Sequence, residues 1–241
     1  MSYDSPETLA AFADRHGITY PLVSDPGSKV IDAWGLRNQA ARGREEGIPH
    51  PGTFLIDRSL KVLERAFEQA YQERNTAASL LARIGGAVPP DSPTDVAGGQ
   101  LTATLGVTDA VVPPGGRTTL IVDLKPKPNM HVYAPGQEGY IPVSIALDPS
   151  ADFKVQPAKF PAPGTYYFGP LKETVQVYDK PVRITQDVTL ALSPELRKRA
   201  TAKETLVITG SLTYQACDDK VCYRPETVPL GWSLTLTPFI R

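Results

Sequence analysis

Among 241 residues there are only two cysteines, two methionines and two tryptophans. Two cysteines exclude a disulfide-dense scaffold and a zinc site built from four cysteines of one chain. Neither sign of charge dominates: 25 basic and 26 acidic side chains leave a formal net charge of -1. That balance gives no electrostatic case for nucleic acid or an anionic membrane as partner. No apolar run approaches the roughly 20 residues that span a bilayer, so no membrane insertion is expected. The opening residues Met1-Ser2-Tyr3-Asp4 lack a basic n-region and lead into no apolar h-region or small-residue cleavage site. The expectation is that the chain carries no secretory signal peptide of its own. No nucleotide loop, metal triad or Ser-His-Asp order is visible, and neither a cofactor nor a metal is expected.

Proline is abundant. The 24 prolines are about twice ordinary usage and argue against a mostly helical protein. They divide the chain: residues 1–86 hold five and residues 101–241 hold sixteen. Residues 87–100 lie in a Gly- and Pro-rich run without apolar periodicity and read as a linker. Two domains are expected, 1–86 and 101–241.

The first segment alternates helix and strand. Ser5, Pro6 and Glu7 start a helix over about 5–16, with Leu9, Phe12 and Ala13 on one face. Tyr20 to Val23 reads as a short strand. Asp25-Pro26-Gly27 opens a short helix with Val30, Ile31 and Trp34 facing inward. Thr53 to Asp57 reads as a buried strand, and Lys61 to Phe67 as its hairpin partner. Asn75 caps a last helix carrying Ala77, Leu80, Leu81 and Ile84, and Gly85-Gly86 ends it.

Tyr3-Asp-Ser-Pro-Glu7, Tyr20-Pro-Leu-Val-Ser-Asp-Pro26, Trp34-Gly35-Leu36 and Pro51-Gly-Thr-Phe-Leu-Ile-Asp57 resemble the later half of a peroxiredoxin-like (AhpC/TSA) domain of the thioredoxin fold. The resemblance covers about 1–86 and implies a partial α/β domain, with Pro51 as a cis-proline before a sheet strand. Its reactive cysteine would precede Met1, and residues 1–86 contain none. His16 and His50 supply no substitute for that thiol. This segment is therefore expected to lack peroxidase chemistry, to begin inside a longer ancestral protein and to expose an apolar sheet edge. Leu60 stands where the family usually has glycine. If that position has φ > 0, leucine there costs about 1–2 kcal/mol.

The second segment alternates with period two over 101–107, 118–124, 142–147, 174–178, 182–192, 205–214 and 227–237, with Gly/Pro turns between. Seven or more short strands suggest an antiparallel β-sandwich. Ser193 to Arg199 reads as one short helix with Ser193 as cap.

The chemistry-bearing residues are Cys217 and Cys222, spaced C-x4-C on an expected hairpin. A bridge across so short a loop contributes about 2 kcal/mol by the chain-entropy model, against nearly 5 for distant strands. Exchange is a better reason for the pair than stability, because a hairpin presents both sulfurs near the surface. Lys220 and Arg224 favour a thiolate, whereas Asp218 and Asp219 oppose it. Spacing alone leaves open a redox pair, a structural bridge, a metal site or chance.

Tyr214-Gln-Ala-Cys217 and Cys222-Tyr-Arg-Pro-Glu-Thr227, with Asn129-Met-His-Val-Tyr-Ala-Pro-Gly136 and the run from Tyr166 to Glu173, resemble the DsbD N-terminal (disulfide bond corrector) family across about 101–238. The resemblance implies an immunoglobulin-like fold and a periplasmic electron relay. Its partners would be thioredoxin-like protein domains acting as electron donor and disulfide acceptor. By position, Cys222 would form the mixed disulfide and Cys217 resolve it. Tyr167, Phe168 and Gly169 would form a shielding cap loop, and His131, Tyr133, Tyr214 and Tyr223 would lie near the pair. The family's cysteine spacing is one residue longer, and acidic residues before its cap loop are replaced here by Pro163-Gly164-Thr165-Tyr166. The rival readings are an interaction module with a structural disulfide and a peroxidase that borrows the second domain's thiol.

Overall fold

The computed structural model describes residues 1–67, 76–84, 86, 88–169 and 172–238. It falls into two compact units, Met1–Tyr71 and Gln72–Arg241. The division comes earlier in the chain than the proline distribution suggests. Among the described residues, no helix is long and apolar enough to cross a membrane.

In the first unit α1 (Pro6–His16) starts as expected: the Ser5 hydroxyl accepts the Thr8 N–H at 3.3 Å, and Gly17 ends the helix at φ 62°. The helix buries none of its residues, and Phe12 is 48% exposed. Tyr20 to Val23 is not a strand. The chain makes only a parallel bridge between Ser2 and Ser24, closed by two local backbone hydrogen bonds, and Tyr20 stays exposed. In α2 (Lys29–Ala33) the Asp25 carboxylate accepts the N–H groups of Val30 and Ile31, both at 2.9 Å. Only Ile31 turns inward; Val30 and Trp34 are exposed, contrary to expectation. Five residues make little more than one turn, which has room for a single inward position.

The expected hairpin is present as β1 (Gly52–Ile56) and β2 (Val62–Phe67), with its first strand half-exposed rather than buried. Gly52 is required there, because a Cβ would sit 2.3 Å from the Phe67 ring. The turn is held by Asp57, whose carboxylate accepts the N–H groups of Ser59 and Lys61. It places Leu60 at φ 65°. Pro51 is not a cis-proline: the described residues contain no cis peptide bond. Trans is the lower-energy isomer unless packing selects against it, and Pro51 is only partly buried.

The second unit opens with α3 (Ala77–Arg83). Thr76 caps it through a reciprocal pair with Ser79, and the Thr76 hydroxyl donates to Asp109 at 2.6 Å. Asn75 and Gly85, expected to bound this helix, lie outside the described residues. Leu80 is buried, while Leu81 and Ile84 are exposed.

The chain then runs through β3 (Asp91–Ala97), β4 (Leu101–Val107), β5 (Val111–Val112), β6 (Arg117–Pro126) and β7 (His131–Tyr133). Next come β8 (Ser144–Leu147), β9 (Phe153–Val155), β10 (Gly164–Phe168), β11 (Glu173–Tyr178) and β12 (Val182–Leu190). Helix α4 (Pro194–Thr201), capped by Ser193 as expected, precedes β13 (Thr205–Tyr214), β14 (Ala216–Cys217) and β15 (Glu226–Leu236).

These strands form three sheets, ordered β3-β4-β6-β12-β9, β5-β15-β13-β8 and β10-β11-β7-β14. All their pairings are antiparallel except the short β5–β15 pair. Period-two alternation builds the core. Leu101, Ala103, Leu105 and Val107 of β4 share one cluster with Val228, Leu230, Trp232, Leu234 and Leu236 of β15. The five-stranded sheet and the β5-β15-β13-β8 sheet are thus the layers of a sandwich.

The stretch expected as linker contains β3, which pairs with β4. Pro93 lies inside a register shift between Asp91 and Thr94. No ladder N–H is needed at that point, so a proline-bearing segment can still join a sheet.

Candidate redox site at Cys217 and Cys222

The third sheet positions the cysteines. Register pairs share a face: Tyr166 with Val175, Phe168 with Glu173, Val177 with Tyr133, and Cys217 with His131. Alternation sends the other set to the opposite face, namely Tyr167, Tyr178, Val132 and Ala216. Of these, Tyr178, Val132 and Ala216 join the main core. On the first face Cys217, Tyr133, Val175 and Val177 form a small separate cluster, flanked by Tyr140 and Tyr166.

Cys217 and Cys222 are joined as a disulfide with their Cα atoms 4.1 Å apart. The intervening loop is made by Asp218. Its N–H donates to the Val221 carbonyl, and its carboxylate accepts the N–H groups of Lys220 at 2.8 Å and Val221 at 2.7 Å. Those N–H groups, Val221 first, hold the Asp218 carboxyl below its ordinary range. The Asp218 charge in turn raises the Tyr223 phenol, whose hydroxyl reaches the carboxylate at 3.3 Å. Asp218, read from sequence as an opponent of a thiolate, is therefore committed to shaping the turn.

The two sulfurs have unequal surroundings. Cys217 is 1% exposed, whereas Cys222 is an exposed residue. The Tyr133 hydroxyl lies 3.0 Å from the Cys217 sulfur and 3.6 Å from that of Cys222. A disulfide carries no S–H, so the tyrosine donates. Burial pushes the Tyr133 phenol well above the usual tyrosine range, with Tyr140 reinforcing the shift. His131 is buried, with its ring 4.4 Å from that of Tyr166. Burial lowers its pKa, and the charges of Asp179 and Asp218 oppose the shift.

Of the residues expected near the pair, His131, Tyr133 and Tyr223 are gathered around it. Tyr214 packs in the main core, and its hydroxyl donates to Glu226. Within the expected cap loop, Phe168 is on the disulfide's face, while Tyr167 is on the opposite face and 61% exposed. Gly169 is exposed in the turn that follows.

Three residues escape the sequence reading. Tyr166 lies tilted against His131, Tyr140 stacks on Tyr133, and Glu173 accepts the Tyr140 hydroxyl. Counting alternate positions back from Phe168 finds Tyr166. Tyr140 lies in the aperiodic stretch after β7 and gives no such signal. Among the described residues, no group of three or more His, Cys, Asp or Glu side chains could hold a metal ion.

Comparison with known proteins follows the same division. Residues 1–65 match the AhpC/TSA family. Over 65 residues the chain is 38% identical to a putative peroxiredoxin of Mycobacterium tuberculosis (strain CDC 1551 / Oshkosh). The same identity holds for the putative peroxiredoxin of strain ATCC 25618 / H37Rv. These matches take in 26% of this chain and 41% of each relative, so the chain spans about two fifths of those proteins.

Solved structures similar to this chain include the N-terminal periplasmic domain of ScsB from Proteus mirabilis. It is 16% identical with a TM-score of 0.39, covering 61% of this chain and 53% of that one. The reduced N-terminal domain of DsbD from Neisseria meningitidis is 15% identical with a TM-score of 0.31, covering 48% and 77%. Residues 102–230, more than half of the chain and containing both cysteines, match the family described as thiol:disulfide interchange protein DsbD, N-terminal. On that match the chain belongs to the DsbD N-terminal domain family.

Proposed function

We propose that the chain is a thiol–disulfide exchange module that relays electrons to protein disulfides through Cys217 and Cys222. The observation that carries this reading is the asymmetry of the pair: an exposed Cys222 bridged to a buried Cys217 beneath a tyrosine hydroxyl. Membership of the DsbD N-terminal family supports it.

In the reduced state the Cys222 thiolate attacks one sulfur of a partner's disulfide. The partner's other sulfur leaves as a thiolate and takes up a proton, and a mixed disulfide remains. The Cys217 thiolate then attacks the Cys222 sulfur and releases the partner's second thiol. Two electrons have passed to the partner, and the chain is left with the bridge seen here. A thioredoxin-like dithiol resets the pair by the reverse steps. The partners are thus thioredoxin-like domains on both sides, and the working compartment is the periplasm.

On this reading the sandwich is immunoglobulin-like. The first unit is a partial thioredoxin-like domain without a reactive thiol, since residues 1–71 contain no cysteine. The test is the reduction potential of the pair, equilibrated against glutathione and read by alkylation and mass. A value between about -180 and -270 mV, the range of exchange proteins, is expected. A value well below about -300 mV makes the bridge structural and leaves a binding module.

A further inference from the structure

The Tyr133 hydroxyl sits against both sulfurs, and within β7 its ring meets that of His131 edge-on, with centroids 5.6 Å apart. Two residues outside β7 also hold it. The Tyr140 ring stacks on the Tyr133 ring with centroids 4.0 Å apart and planes 12° apart. The Tyr140 hydroxyl donates to the Glu173 carboxylate. Glu173 begins β11 and pairs in register with Phe168. An unbroken line of contacts therefore runs from the β10–β11 turn to the disulfide.

We propose that Tyr140 and Glu173 are positioning residues for the resolving thiol. They hold Tyr133 so that its O–H donates to the Cys217 sulfur and stabilises that thiolate once the pair is reduced. The inference rests on the exchange function proposed above. Cys217 needs such help more than Cys222, because it is buried and burial disfavours a thiolate. A donor at 3.0 Å offsets that penalty, since hydrogen bonds to charged groups are about twice as strong as neutral ones.

The titratable groups facing this sulfur are His131 and Tyr133 from β7, Tyr166 from β10, Glu173 through Tyr140, and Asp218 from its own loop. Tyr223 is engaged by Asp218, and Asp179 acts on His131. Among these, Tyr133 brings a hydrogen-bond donor to the sulfur itself. Tyr140 and Glu173 act through it and touch neither sulfur in the reaction.

The test uses the reduced full chain and an aromatic disulfide, 5,5′-dithiobis(2-nitrobenzoate). Attack by Cys222 releases one thionitrobenzoate and forms the mixed disulfide. Attack by Cys217 on the Cys222 sulfur releases the second and forms the bridge. Both releases are read by absorbance, and the pH dependence of the second reports the Cys217 thiol.

For Tyr133→Phe the second phase slows about tenfold at pH 7, and its pH midpoint rises by about one unit. Tyr140→Phe, which keeps the stack, and Glu173→Gln, which keeps an acceptor, slow it about three- to tenfold with a smaller upward midpoint shift. In the two brace variants the first phase changes less than the second. Adding Tyr140→Phe to Tyr133→Phe produces no further loss, because the brace acts only through the hydroxyl already removed.

An unshifted midpoint in both brace variants, with a shifted one in Tyr133→Phe, overturns the positioning role. So does equal slowing of both phases, which marks a general structural defect. Failure of the wild-type chain to release the second thionitrobenzoate overturns the exchange function itself. Matching thermal melts for wild type and variants keep misfolding apart from these outcomes.

Discussion

The hairpin of the first unit and the β13–β15 hairpin of the second are built by the same alternation, yet they end in different places. Along β15 every second residue from Val228 to Leu236 is buried. In β1 no residue is buried, and in β2 only Ala66 is. The difference is the layer opposite. β15 faces a second sheet across a shared core, whereas β1 pairs with β2 alone among the described residues. Phe54, Phe67 and Trp34 make an edge-on aromatic row instead, with centroids 5.1 Å apart. Alternation prepares an apolar face, and only a covering layer turns it into stability.

The sharpest way to break the contrast is to remove an apolar side chain from each unit. Leu212→Ala, in the fully enclosed core, is expected to cost about 2–5 kcal/mol. Phe12→Ala, half-exposed on α1, should cost under about 1 kcal/mol, because little area is lost from burial. Urea unfolding of both variants measures the two values, and equal losses would show that the first unit has a core of comparable quality. Reduction of the disulfide comes next. The second unit should lose about 2 kcal/mol when a loop this short is opened. The first unit holds no cysteine, and its hydrogen-exchange protection should not change.

A gain is expected in the first unit. Leu60 is 77% exposed and held at φ 65°, so Leu60→Gly should raise stability by about 1 kcal/mol. A fall in the unfolding midpoint would show that its side chain is needed for packing.

The smallest effect is a pH slope confined to the second unit. Burial depresses the pKa of His131, so the unfolded chain binds the proton more readily. The stability contributed by the neutral ring is complete above about pH 6.5 and is lost as pH falls from there toward the folded value. His131→Phe should flatten the urea midpoint between pH 7 and pH 5. An unchanged slope would assign the pH response to other groups.

Much of this contrast can be read from the residues. The long strands of the sandwich match their period-two runs within two or three residues, because a face buried against a second sheet admits no other register. The Ser5 and Ser193 caps are local and equally legible. What fails is what depends on neighbours. Val30, Trp34, Leu81 and Ile84 have the right spacing for an inward face, but spacing does not say whether anything covers it. Strand β3 is hidden by Pro93 within it and Pro89-Pro90 just before it, and β7 and β14 are too short to show a period. At the site, spacing allows the pairing of Cys217 with Cys222 but leaves a metal site or chance open, and the family resemblance is what implies an exchange pair. Tyr140 and Glu173 reach the sulfurs through a loop and a sheet register, which no sequence window contains.

The turn made by Asp218 has a kinetic meaning. A loop of four residues pinned by its own side chain gives each thiol a high effective concentration at the other. In the exchange proposed above, a partner captured on Cys222 competes with a sulfur that is already in place. Its dwell time is set less by its own affinity than by how soon Cys217 sheds a proton. On the exchange function proposed above, a pair built this way favours rapid release of a captured partner over its firm retention.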